Sequence, residues 1–176
     1  MIGEIADALG SAFELANTAL EYVLGRRKDR LNYQESQDAE LIAEIVDYLP
    51  ESFIEALSMP MTAHRFPSAM FDTLLIFQSE IADDPQQAFY DRDLEEKYCE
   101  LKNCIEYYTD FLTEAAPLGD GFHSIFNDPA AIGFDDDPEG DAVIEEAFQD
   151  GHLQIAEAYT ELLLIARDKC LDWSEN

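Results

Sequence analysis

Positive charge is what this sequence has least of. Ten Lys and Arg residues stand against 39 Asp and Glu, a formal net charge of -29 over 176 residues. Such a chain does not bind nucleic acid through a general basic surface, because phosphate affinity comes from lysine and arginine. Anionic membrane surfaces repel it for the same reason. Cysteine is scarce too: Cys99, Cys104 and Cys170 are odd in number and hold no zinc-pair spacing. That argues against a disulfide framework and points to a reducing, cytoplasmic compartment. No apolar run is long enough to span a bilayer, and Glu4, Asp7 and Glu14 interrupt the first apolar stretch, so no secretory signal is expected.

Catalytic signals are also missing. His64, His123 and His152 lie far apart, and none belongs to a His-Glu-x-x-His or Glu-x-x-His pattern. There is no glycine-rich phosphate loop and no nucleophile elbow. The expectation is a protein that is not an enzyme, with His152 at the surface or at a helix cap.

What is present is a core. Apolar residues make up 47% and aromatics 11% of the chain, spread from Phe13 to Trp173, which separates it from a disordered acidic tail. The length suits one domain. Apolar residues at Ile2, Ile5, Leu9, Phe13, Ala16, Leu20 and Val23 predict an amphipathic helix over 2–24. Gly25 and the cluster Arg26, Arg27, Lys28 and Arg30 then read as its end, where cations suit the helix dipole. A second helix is predicted over 37–49, closed by Pro50, with a short continuation over 51–58. Residues 59–67 read as loop, and 68–82 as an apolar helix central to the core. Asp84 before Pro85 marks the start of the longest helix, about 86 to 116. Its seam is Leu94, Tyr98, Leu101, Ile105, Tyr108 and Leu112. Residues 117–140 are loop-rich, and a last helix covers 141–171, with Gly151 a point of interruption. No strand is evident. The expected fold is an all-α, single-domain bundle of five to six helices.

The acids are patterned. At about 100° per residue, Glu96, Glu100, Glu106, Asp110 and Glu114 fall opposite the long seam. Glu146, Asp150, Glu157, Glu161 and Asp168 fall on one side of the last helix. Lys97 and Lys102 alone can relieve the first stripe, and Arg167 and Lys169 sit at the end of the second. Like charges at i,i+4, such as Glu106–Asp110–Glu114, destabilise a helix slightly. One reading is a solvated face. The other is an interface for a basic protein surface, a nucleic-acid-binding protein foremost, as nucleic-acid mimics and nuclease inhibitors present carboxylates in rows. The composition and helicity suit that reading; no motif points to a family.

Two alternatives stand beside it. The chain can be an adaptor subunit joined through apolar or aromatic patches, with Tyr107 a candidate. It can also hold calcium in the segment 135–146, where Asp135, Asp137 and Glu139 occupy positions one, three and five, Gly140 position six and Glu146 position twelve of a calcium loop. Glu at five and Pro138 at four depart from that pattern, and an acidic cap for the last helix, with Asp137 before Pro138, explains the same residues. No cofactor is otherwise expected.

Overall fold

The computed structural model describes residues 2–113, 115–118, 120–125, 138–169 and 171, with the side chains of 2–23 and 138–139 left aside. Among these residues the chain is an all-α domain of five α-helices with one small sheet.

The first helix, α1 (Ile2–Tyr48), is continuous where two helices were expected. Gly25 costs a helix about 1 kcal/mol relative to Ala, but among the described residues nothing lies within 4 Å of a Cβ placed there. The flanking Leu, Arg and Lys are strong helix formers and no proline intervenes, so the turn is not broken. The basic cluster therefore lies on exposed mid-helix, not at a helix end. The last part of α1 enters the core, through Leu41, Ile42 and Ile45. Pro50, extended at φ -63 and ψ 152, separates it from α2 (Glu51–Leu57), which buries Ile54 and Leu57.

Pro60 precedes β1 (Phe66–Pro67), and Pro67 stands immediately before α3 (Ser68–Phe77). The α3 helix continues as a wide π turn over Gln78–Ala82, closed by Asp83 N–H donating to the Gln78 carbonyl at 2.9 Å. Its buried face is Met70, Leu74, Phe77 and Ile81, while Leu75 and Ile76 are exposed, so this helix lines the core on one side and is not enclosed by it.

The long helix, α4 (Arg92–Leu112), starts later and ends earlier than its periodicity implies. Asp84 instead closes a turn, accepting from Gln86 N–H at 2.8 Å. Asp91 is the cap, accepting from Asp93 N–H at 2.9 Å and Leu94 N–H at 3.2 Å. The intervening segment is anchored by Phe89, whose ring meets Tyr98 edge-on at 5.4 Å.

After α4 come β2 (Ala116–Pro117) and β3 (Phe122–Ser124), joined through a turn at Gly121, φ +83. The sheet order is β1-β3-β2, antiparallel, with Phe66 opposite His123 and Ala116 opposite Ser124. The sequence shows no strand because two- and three-residue strands are too short for a period of two to register.

The last helix, α5 (Pro138–Asp168), runs unbroken through Gly151. It packs antiparallel to α4: Lys169 reaches Asp93, Lys97 reaches Glu161, and Tyr108 covers Gly151. Buried rows from both helices form the centre of the core, Leu94, Tyr98, Leu101, Ile105, Tyr108 and Leu112 against Phe148, Ile155, Tyr159, Leu162 and Ala166.

Candidate functional site

The acids of the chain separate into two groups by what they touch. One group holds the fold together. Asp38 on α1, buried, accepts from Tyr90 N–H at 2.7 Å and Asp91 N–H at 3.0 Å. Burial pushes its carboxyl up from the ordinary range, against the two backbone donors, and the charges of Asp91 and Glu95 add to the rise. For Asp91 burial acts upward as well, but the Lys169 ammonium at 2.8 Å and the N–H groups of Leu94 and Asp93 hold its carboxyl below the ordinary range. Glu95 accepts from Phe89 N–H at 2.8 Å, and Glu145 from Ala63 N–H at 2.9 Å. Gln149, which also bonds Glu145, donates to the Met61 carbonyl, so the start of α5 pins the loop before β1. These acids sit beside helix starts and loops, where sequence periodicity carries no signal for them.

The second group faces outward. Glu96, Glu100, Glu106 and Asp110 are exposed on α4, opposite its buried row. Glu114 lies outside the described residues. On α5, Glu146, Asp150, Glu157 and Asp168 are exposed and Glu161 is partly buried. The two stripes meet where the helices cross. Lys97 bridges Glu100 at 2.7 Å and Glu161 at 2.5 Å, and these two hydrogen bonds raise its pKa. Around it Glu100, Cys104, Gln154, Glu157 and Glu161 line a groove of about 270 Å³. Lys102 is held over the Tyr98 ring at 4.3 Å. Both lysines of α4 are thus engaged, and among the described residues Glu96, Glu106 and Asp110 form no ion pair.

Comparison with protein families, characterised proteins and solved structures finds no match.

Asp135 and Asp137 lie outside the described residues, as does the Glu139 side chain. Pro138–Glu146 forms the first turns of α5, which spreads this segment along a helix axis. Among the described residues no group of three His, Cys, Asp or Glu is arranged to hold a metal ion. Tyr107 is 71% exposed, within the α4 stripe. The Cys99 thiol donates to Glu95 at 3.3 Å; burial, then Glu95, pushes its pKa up. Burial also raises Cys104, against Lys97. Both thiols are kept protonated, which disfavours nucleophilic use.

His152 is a correction. It is buried, not at the surface, with its ring 5.4 Å from Phe148 and 6.3 Å from Tyr108. Burial lowers its pKa, against the Phe148 carbonyl and the Glu145 charge. The absence of a helix break at Gly151 is what turns it inward, four residues from Phe148 on the core face. Among the described helices, none is long and apolar enough to cross a membrane.

Proposed function

We propose that this protein is a non-catalytic binder of a basic protein surface, acting as an inhibitor or immunity-type factor toward a nucleic-acid-binding partner. The supporting observation is the disposition of charge on the α4–α5 face. Among the described residues Glu96, Glu106 and Asp110 stay exposed without a cation, while Lys97 is drawn into the helix crossing and Lys102 lies over the Tyr98 ring. Along the α4 axis the carboxylates stand in pairs about 6 Å apart, Glu96 with Glu100 and Glu106 with Asp110, and the pairs are about 9 Å from one another, a rigid row that a set of lysines or arginines on a partner can match. Association driven in this way is fast and screened by salt.

Capture of partners from host lysate at low salt, followed by graded salt elution and mass spectrometry, tests this. The expected partner is basic, binds nucleic acid and elutes at moderate salt. Replacing Glu96, Glu100, Glu106 and Asp110 by Gln should weaken the purified pair by about thirtyfold, at modest cost for each exposed charge. Affinity indifferent to both salt and the substitutions refutes the proposal. A second reading, an adaptor that joins an assembly by apolar contact, draws on the exposure of Tyr107, Leu75 and Ile76; it predicts association that survives high salt.

A further inference from the structure

A trough runs between α2 and the outward side of α5. One part, of about 200 Å³, is bounded by Glu51 and Glu55 on one wall and Leu164 and Arg167 on the other. The other part is shallower and is lined by Leu153, Ala156, Glu157 and Glu161. Ser58 and Thr160 belong to both, so the two are continuous.

Its chemistry is mixed in an ordered way. Ile54, Ala156 and Tyr159 are buried and form the floor, while Leu153 and Leu164 remain 46% and 52% exposed. Eleven residues make three turns of helix, so these two leucines lie in one line about 16 Å apart. Carboxylates stand on both rims, Glu51 and Glu55 from α2 and Glu157 and Glu161 from α5. Among the described residues Glu51, Glu55 and Glu157 form no ion pair. Among the described residues the Tyr159 hydroxyl has no hydrogen-bond partner; burial and the Glu51 charge push its pKa up to about 12, against Arg167.

We propose that this trough docks an amphipathic basic helix of the partner protein, its apolar side on Ile54, Leu153 and Leu164 and its flanking lysines or arginines on the carboxylates of the two rims. Charge complementarity selects this occupant. An apolar floor alone would accept any apolar helix, but acids on both sides reject acidic ones and leave a purely apolar one with desolvated, unanswered carboxylates. A helix laid along α5 presents side chains at i, i+4, i+7 and i+11, the spacing that the leucine line accommodates. This inference rests on the reading of the chain as an acidic binder and adds the surface and the shape of what it binds.

Two synthetic peptides of equal length and charge test it against the full chain at physiological salt. One is a Leu–Lys sequence that folds as an amphipathic helix, the other a Lys–Ser sequence with no apolar side. Fluorescence anisotropy gives affinity, and amide chemical shifts give location. The Leu–Lys peptide should bind at least about tenfold tighter, with shifts concentrated at Ser58, Leu153, Thr160 and Leu164. The double substitution Leu153→Ser with Leu164→Ser should remove that tenfold and leave the Lys–Ser peptide unaffected; both leucines are half-exposed, and a melting curve verifies the fold. Equal binding of both peptides, with shifts over Glu96, Glu106 and Asp110, overturns the trough while sparing the acidic-binder reading. Leu–Lys binding that ignores the double substitution also overturns it. Binding of neither peptide overturns both.

Discussion

Gly151 shows how much one missing methyl group decides. A Cβ there would meet Tyr108 Cδ2 at 2.2 Å and Cε2 at 2.6 Å. Tyr108 is fully buried, so its ring has no room to retreat. The glycine sets how closely α4 and α5 approach, and its contribution lies in space rather than in backbone freedom. Gly151→Ala gains about 1 kcal/mol of helix propensity but overpacks the crossing, a cost of about 1–3 kcal/mol that grows with the overlap. With contacts this short the overlap should win, lowering stability by about 1–2 kcal/mol in urea unfolding; an unchanged or raised midpoint would show that Tyr108 yields. The sequence offers only a glycine between Asp150 and His152, and glycine more often signals a break. Its partner ring lies 43 residues away, which no local pattern reveals. The same reversal explains His152, read from sequence as peripheral and found in the aromatic interior.

At the scale of elements, periodicity found the helices and missed their ends. The row Leu94, Tyr98, Leu101, Ile105, Tyr108 and Leu112 is buried throughout, as its spacing implies. The start of α4 differs because two Asp residues compete for it. Asp84 precedes proline, a strong local signal, but Asp91 has Lys169 beside it and two N–H groups to receive. Asp38 then ties the segment before that cap to α1 by two backbone hydrogen bonds. Removing it leaves two part-buried donors without an acceptor, so Asp38→Ala should cost about 2 kcal/mol. It should also speed amide exchange at Tyr90 and Asp91 before the rest of α4, which hydrogen exchange resolves residue by residue. Uniform loss of protection along α4 would mean that Asp38 acts on the whole fold and not on this junction.

At the scale of the molecule, the net charge of -29 sets the terms. Several acids are consumed as acceptors for backbone N–H groups and two lysines act as staples, Lys97 across α4 and α5 and Lys169 onto Asp91 and Asp93. The rest repel one another at a separation that salt screens. Melting temperature should therefore rise by about 5 °C between about 0.01 and 0.15 M sodium chloride, as followed by circular dichroism. A flat or falling curve would show that the lysine staples, which salt weakens, outweigh the repulsion.

Composition and spacing by themselves determined that the chain is helical, that α4 and α5 each bury one side, and that most acids of the two stripes point outward. These follow from local rules, since a helix period of 3.6 residues places each side chain relative to its own axis. The tertiary structure alone decided which acids become acceptors, as with Asp38 and Glu145, where Gly151 brings two helices together, and which side of α5 meets α2 to form a trough. Those depend on the position of one axis against another, and residues far apart in the chain carry no local trace of that meeting.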